Sequence, residues 1–120
     1  MKATYNQDDD LRWAIDNNGL DGDFKDEEIK EIVAEVPGAN DEFDWHWIVS
    51  LHDGRFAYLY GGCDYTGWDC QSSLTVVGSY PTALDAADAA VEKEKYSDRL
   101  IRQNLRDQIT LKQPKYSYQS

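Results

Sequence analysis

Two cysteines and two histidines are the residues whose chemistry could hold a transition metal. Cys63 and Cys70 are separated by six residues, and His46 and His52 would have to complete a zinc-binding set. Common zinc motifs separate paired cysteines by about two to four residues, so this spacing matches none of them. We therefore expect no bound metal and no other cofactor.

The same cysteines could instead form an active-site thiol or a disulfide. A thiol enzyme would need Cys63 beside His46, with Asp64 or Asp69 orienting the imidazole, but no nucleophile signature accompanies them. A disulfide between Cys63 and Cys70 would close a small loop. The chain begins MKATYNQDDD, without the apolar stretch of a secretory signal, which favours a reducing compartment. The sequence thus predicts a non-enzymatic protein of the cytoplasm.

A segment near the N-terminus partly matches the calcium-binding loop of an EF-hand. Counted from Asn17, it places Asp21, Gly22 and Glu28 at positions 5, 6 and 12, but position 3 is Gly19, which has no side-chain ligand. If the count starts one residue earlier, positions 1 and 3 both have side-chain ligands. The rest of the calcium-loop pattern then fits only if one residue is treated as an insertion. Acidic residues also favour the start of a helix without any metal. A calcium-binding helix–loop–helix module, or a structural domain of unknown partner, is the alternative function.

The acidic residues are concentrated in the first half of the chain. The 120 residues include 23 Asp and Glu against 12 Lys and Arg, which gives a net charge of −11. Residues 1–53 carry fifteen of the acidic and four of the basic residues, whereas residues 54–120 carry eight of each. This balance excludes a conventional nucleic-acid-binding domain, which needs a basic surface. The excess is either a solubility surface or a binding surface for a basic partner.

The acidic half is predicted to form a helix–turn–helix over residues 8–36. A short helix is expected over Asp10–Asn17, followed by a turn rich in Asn and Gly. A second helix is expected from Asp23, as its N-cap, to Val36, where Pro37 ends it. Its apolar residues follow helical spacing: Ile29, Ile32, Val33 and Val36. The acidic residues of this helix are then expected to project together into solvent.

A three-stranded antiparallel meander is predicted over residues 44–79. Trp45–Leu51 and Arg55–Tyr60 flank Asp53–Gly54, a pair typical of two-residue hairpin turns. A third strand is predicted over Leu74–Gly78. The two-residue turn sets a register in which one face forms the core: Trp45, Trp47, Val49, Leu51, Phe56, Tyr58 and Tyr60.

A C-terminal helical segment is predicted over residues 82–112. Thr82 is its expected N-cap, and Tyr96–Asp98 is a candidate break where Ser97 could cap a second helix. Residues 113–120 are expected to form a frayed tail. The fold class is therefore α+β in a single domain, with two N-terminal helices, the meander, and a C-terminal helix, continuous or broken, packed on the sheet.

The most distinctive segment is GGCDYTGWDCQSS, residues 61–73. Its three glycines permit sharp bends, and Tyr65 with Trp68 could form a small apolar centre, so a compact self-packed loop is expected over residues 61–72. Together with the hairpin before it, this segment resembles a pattern found in small uncharacterised bacterial and phage proteins. By size, acidity and lack of enzyme motifs, the chain is also similar to phage-encoded inhibitors such as anti-CRISPR proteins and DNA mimics.

The charge and this resemblance together predict a non-enzymatic, acidic binding protein. We expect a phage-type inhibitor that blocks the basic groove of a host protein complex that handles nucleic acid. It should contact neither nucleic acid nor a membrane, since no apolar run approaches the roughly 18 residues of a membrane span. The predicted contact surface combines exposed acidic residues with two loop aromatics: Asp23, Asp26, Glu27, Glu31, Glu35, Asp41, Glu42, Asp44, Tyr65 and Trp68.

Overall fold

A four-stranded antiparallel sheet lies at the centre of the fold. The computed structural model describes residues 10–90 and 100–111. Within them the elements are α1 (Asp10–Asn18), a 3-10 turn (Asp26–Glu28), β1 (Ile29–Val36), β2 (Trp45–Leu51), β3 (Phe56–Cys63), β4 (Ser72–Tyr80), α2 (Ala83–Asp88) and α3 (Ile101–Thr110). The strands lie in the order β1-β2-β3-β4. These residues form an α+β fold with one N-terminal and two C-terminal helices, so the predictions of three strands and of two N-terminal helices are wrong.

The predicted second helix is in fact strand β1. It pairs with β2, and the pairing shifts register between Ile29 and Glu31 and again between Ile32 and Ala34. Each bulge adds one residue, so side chains facing one side of the sheet recur every three positions rather than every two. The bulged strand therefore imitates the spacing of a helix. The β-branched residues of this segment were the signal for a strand.

The hairpin between β2 and β3 has a three-residue loop rather than the predicted two-residue turn. The Leu51 N–H donates to the Arg55 carbonyl (2.8 Å), and the Gly54 N–H donates to the Leu51 carbonyl (3.0 Å). Gly54 has a φ of 97°, a left-handed conformation that glycine adopts with little strain. A turn followed by a left-handed residue is the usual form of a three-residue hairpin loop.

This longer loop shifts the register of β2 and β3 by one residue. Val49 pairs with Ala57, whereas a two-residue turn would pair it with Tyr58. A one-residue shift moves every side chain of a strand to the other face of the sheet. The predicted core face is therefore wrong for the aromatic residues of β3, which lie on the opposite face: Phe56, Tyr58 and Tyr60.

The helices cover opposite faces of the sheet and create two apolar clusters. Helix α1 packs on the face that carries Trp47 and Val49. Helices α2 and α3 pack on the other face, around Ile48 and Tyr58. The two central strands are therefore buried on both faces, and the connections between strands project at the two ends of the sheet.

Several predicted boundaries agree with the structure. Strand β2 has the predicted bounds, and α1 ends one residue later than expected. The Thr82 hydroxyl caps α2 by accepting the Asp85 N–H (3.0 Å). The segment predicted over residues 82–112 contains α2 and α3, while the candidate break at 96–98 and the tail at 113–120 lie outside the described residues. No helix in the described part of the chain is long and apolar enough to cross a bilayer.

Candidate partner-binding surface at the ends of the sheet

The predicted contact residues do not share one surface, because the helix that would have carried them is absent. Most of them lie at two ends of the sheet, which an eight-residue strand separates by roughly 25 Å. We call one the turn end, which comprises residues 23–28 and 52–55. We call the other the loop end, which comprises residues 37–44 and 62–73. The expectation that the acidic residues project together is therefore wrong.

Arginine side chains pair with three of the five carboxylates of the turn end. Arg12, whose side chain is 6% exposed, pairs with Asp26 at 2.7 Å. The Arg55 guanidinium pairs with Asp23 and with Asp53, both at 2.8 Å. Hydrogen bonds from the Arg55 backbone N–H and guanidinium lower the pKa of Asp53 below its ordinary value. Asp23 and Asp26, two predicted contact residues, thus belong to ion pairs within the fold.

Glu35 is buried, so the expectation of exposure is wrong for this residue. Its carboxylate accepts the Trp47 Nε1–H at 3.0 Å. Its backbone N–H and carbonyl bond to the Gln108 side chain at 3.0 and 2.8 Å. The bulges of β1 turn Glu35 toward the α1 face of the sheet. Glu27 and Glu31, in contrast, are exposed.

The loop end contains five carboxylates, of which all but the last line one groove: Asp41, Glu42, Asp44, Asp64 and Asp69. Residues 37–44 and 62–73 contain no Lys or Arg, and Arg55 is the only basic residue between Lys30 and Lys93. Four of the carboxylates form no ion pair with any described residue: Asp41, Glu42, Asp64 and Asp69. These four carboxylates therefore give the loop end a negative charge that no described Lys or Arg offsets.

The two connections of the loop end enclose an open groove of about 350 Å³. The Asp41 N–H donates to the Cys63 carbonyl (2.8 Å), which holds the β1–β2 connection against the end of β3. Gly62 permits this approach, because a Cβ at that position would clash with the Asp44 carboxylate. Ser73, the second residue of β4, lines the groove as well. Carboxylates and hydroxyl groups on its walls suit a cationic group.

Asp64 is held inside the β3–β4 loop by hydrogen bonds. Its carboxylate accepts the Thr66 hydroxyl and the Thr66 N–H (2.9 Å for the N–H). Its carbonyl accepts the Gly67 N–H at 3.1 Å. The hydrogen bonds from Thr66 lower the pKa of Asp64, so this carboxylate keeps its charge to lower pH. Because residues 61–63 belong to β3, the loop is shorter than the predicted 61–72.

The two loop aromatics have opposite environments. Trp68 is 8% exposed, its Nε1–H donates to Asp10 (3.1 Å), and its ring lies 5.1 Å from that of Trp45. Tyr65 is 78% exposed. The loop therefore anchors itself in the main core through Trp68 instead of packing on itself. Of the two predicted contact aromatics, Tyr65 alone is presented to solvent.

The fold does not bring the cysteines and histidines together. Cys63 is buried on the α1 face and donates to the Asn40 side chain at 3.3 Å. Burial and the nearby Asp10 and Asp64 carboxylates raise the pKa of the Cys63 thiol, which disfavours a nucleophilic thiolate. His46 lies on the opposite face, where its Nδ1 bonds to the Tyr58 hydroxyl (2.7 Å). The structure therefore brings together neither the residues considered for a zinc site nor those considered for an active-site thiol.

The partial calcium-binding pattern also lacks its structural context. Strand β1 replaces the second helix, so the predicted helix–loop–helix is wrong. The Glu28 carboxylate accepts the Lys25 N–H at 2.7 Å, and Asp23 pairs with Arg55. In the described residues, no group of three His, Cys, Asp or Glu side chains is placed to hold a metal ion.

The chain matches no protein-family model, no curated protein and no solved structure. The resemblance of its loop to phage and bacterial proteins stays a prediction. Asp64 and Asp69 are loop-end residues that sequence reasoning omitted from the contact surface. The signal for them was present, because residues 56–92 contain many aromatic and polar side chains but no Lys or Arg.

Proposed function

We propose that this chain is a non-enzymatic binding protein whose loop end contacts a basic surface of a partner protein. The observation that carries the proposal is the segregation of charge. Three of the five turn-end carboxylates, Asp23, Asp26 and Asp53, pair with Arg12 or Arg55, whereas the loop end has five carboxylates and no Lys or Arg of its own. Concentrated like charge disfavours the compact state, so such a surface has a cost to folding and no folding benefit.

The exposed side chain of Tyr65 supports an interface at the loop end. Tyrosine is enriched at protein–protein interfaces because it buries a large apolar ring and keeps a polar hydroxyl. Tyr65 stands in the same loop as Asp64 and Asp69. An exposed aromatic residue in a loop that also carries carboxylates suits a partner that presents basic and apolar groups side by side.

The class of partner follows from the charge. Proteins that hold nucleic acid present Lys and Arg to phosphate groups, and a carboxylate surface can compete for those residues. The chain would repel nucleic acid itself. The proposed role is therefore that of an inhibitor, of the phage-encoded type, that occupies the basic groove of a nucleic-acid-handling complex in the cytoplasm of a host cell.

The test compares two variants with the same change in charge. The loop-end reversal carries Asp41→Lys, Glu42→Lys and Asp69→Lys. The control reversal carries Asp21→Lys, Glu27→Lys and Glu31→Lys, three exposed carboxylates outside the loop end. Each protein is immobilised and exposed to bacterial lysate at physiological salt, and bound proteins are eluted with duplex DNA and identified. DNA elutes proteins that were held through their nucleic-acid-binding surface.

We expect the parent and the control reversal to capture the same nucleic-acid-binding proteins, and the loop-end reversal to lose them. Single exposed charge pairs contribute only about 0.2–1 kcal/mol, so three are reversed together. Circular dichroism establishes that each variant is folded. If both reversals capture equally well, or if DNA elutes nothing that the parent binds, the proposed function is wrong.

A further inference from the structure

Within the part of the chain that the structure describes, strand β4 is an open edge of the sheet. Its nine residues, Ser72–Tyr80, include no charged residue and no proline, and none of them is buried. In the described residues its backbone pairs with β3 alone. Residues near Gly22 pack on the Val76 side chain and form no described hydrogen bond with the β4 backbone. The outward N–H and C=O groups of an edge strand are a template for another strand.

The opposite edge, β1, carries the features that protect an edge strand. Two bulges interrupt its register, and Lys30 and Glu31 are exposed on it. Bulges and charged side chains both hinder the addition of a further strand. Addition of a further strand is therefore hindered at the β1 edge. The β4 edge is uncharged, and its register is regular apart from one bulge near Val77.

Carboxylates stand at the loop end of β4. The groove of the loop end is lined by Ser72 and Ser73, the first residues of the strand, together with acidic side chains. At the other end, the Ser79 hydroxyl bonds to the Asp23 carboxylate (3.1 Å) and to the Arg55 guanidinium (2.9 Å), and these two charged groups pair with each other. A strand added to β4 would lie about 4.8 Å away and would pass the loop-end carboxylates. The charge at this edge thus complements a basic segment.

A second copy of the chain is a poor occupant of the same edge. Antiparallel pairing of two β4 strands would set the loop end of one copy beside the Asp23–Arg55 pair of the other, and parallel pairing would set two loop ends together. Either arrangement brings together two chains that each carry a net charge of −11. Like charges at close range oppose association.

We infer that β4 accepts an extended, lysine- or arginine-rich segment of a partner protein as a fifth strand of the sheet. The inference rests on the proposed function, and it specifies the form in which the partner presents its basic residues. Backbone hydrogen bonds to β4 supply affinity, and the carboxylates at its loop end select for basic side chains.

The test uses two capped nine-residue peptides of alternating lysine and valine with identical charge. One has an unmodified backbone, and the other is N-methylated at the four central residues, which blocks hydrogen bonding along both of its edges. Peptide affinity is measured by fluorescence anisotropy, and hydrogen exchange of the protein is measured with and without each peptide. Both experiments leave the protein unmodified.

We expect the unmodified peptide to bind at least tenfold more tightly than the methylated one and to slow exchange at β4 but not at β1. Equal affinity of the two peptides, no binding at millimolar concentration, or no protection of β4 overturns the inference. Protection of β4 that appears without peptide and grows with protein concentration, with a dimer in sedimentation, would identify a second copy as the occupant and also overturn it.

The same peptides separate this inference from the proposed function. If the loop-end reversal loses its partner proteins while both peptides bind the parent equally, the edge inference fails and the acidic contact stands. If the unmodified peptide protects β4 while the loop-end reversal captures partners as well as the parent, the edge inference stands and the acidic contact fails.

Discussion

The two ends of the sheet use carboxylates in opposite ways. At the turn end, Arg12 and Arg55 each pair with carboxylates that are distant in sequence, and these contacts attach residues 23–28 to the rest of the fold. At the loop end, the Asp64 carboxylate accepts hydrogen bonds from Thr66 of its own loop, and four carboxylates have no described arginine or lysine partner: Asp41, Glu42, Asp64 and Asp69. Acidic residues in one small chain can therefore hold the structure together or remain available to a partner, and the position of a few arginines decides which.

The largest expected effect concerns the two aromatic residues of the β3–β4 loop. Trp68→Ala removes a buried ring and its hydrogen bond to Asp10, so it should lower the free energy of unfolding by about 3–5 kcal/mol. Tyr65→Ala should change it by less than about 0.5 kcal/mol and should weaken partner capture. Urea unfolding measures the first effect and lysate capture the second. Similar losses of stability in the two variants would contradict the division of this loop into an anchor and a contact residue.

A second prediction concerns the buried cation of the turn end. Arg12→Ala leaves Asp26 without its arginine in a largely buried site, so we expect a loss of about 3 kcal/mol in the free energy of unfolding. Arg106→Ala breaks the more exposed pair with Asp88 and should cost less than about 1 kcal/mol. If Arg12→Ala costs no more than Arg106→Ala in urea unfolding, the turn-end pair is not a stabilising element.

The hairpin loop between β2 and β3 provides a third prediction, with a smaller expected change in the free energy of unfolding. Gly54 has a φ of 97°, so Gly54→Ala should lower the free energy of unfolding by about 1 kcal/mol. Gly54→Asn should cost less, because asparagine tolerates left-handed conformations better than alanine. Thermal unfolding of both variants measures the difference. Equal stability of the alanine variant and the parent would exclude the three-residue hairpin loop described here.

The smallest effect is a pH dependence at the loop end. The hydrogen bonds of Thr66 lower the pKa of Asp64 below its ordinary value of 3.8. A carboxylate with a lowered pKa contributes stability above its unfolded-state pKa, and this contribution is lost as pH falls through the folded-state pKa. Acid unfolding of Asp64→Asn and of Thr66→Val should therefore depend less on pH below 3.8 than that of the parent. An unchanged pH profile in both variants would contradict these hydrogen bonds.

Local signals in the sequence predicted some elements well. Strand β2 lies where alternating apolar residues placed it, and the Thr82 cap follows from a hydroxyl residue directly before a helical pattern. The failures arise where distant or strained contacts decide the structure. The bulges of β1 gave Ile29 and Ile32 helical spacing, and the left-handed Gly54 added a residue to the hairpin loop. Periodicity alone does not distinguish a bulged strand from a helix.

The candidate surface was harder to predict than the fold, because it too depends on contacts between residues that are distant in the sequence. The Glu35 backbone bonds to Gln108, which lies 73 residues later, and Trp68 is anchored by Asp10, which lies 58 residues earlier. No local pattern reports such contacts. The excess of acidic residues was visible in the sequence, but their division between two ends of the sheet depends on which carboxylates the arginines reach.

The most direct test of this account neutralises three carboxylates at one end or the other. The turn-end variant carries Asp23→Asn, Asp26→Asn and Asp53→Asn, and the loop-end variant carries Asp41→Asn, Glu42→Gln and Asp69→Asn. Both lose the same charge, and each is measured for urea unfolding and for capture of DNA-displaceable proteins. The account predicts that the turn-end variant is less stable and still captures partners, whereas the loop-end variant is as stable as the parent, or more so, and captures none. Equal loss of capture in the two variants would show that net charge alone determines binding and would contradict the account.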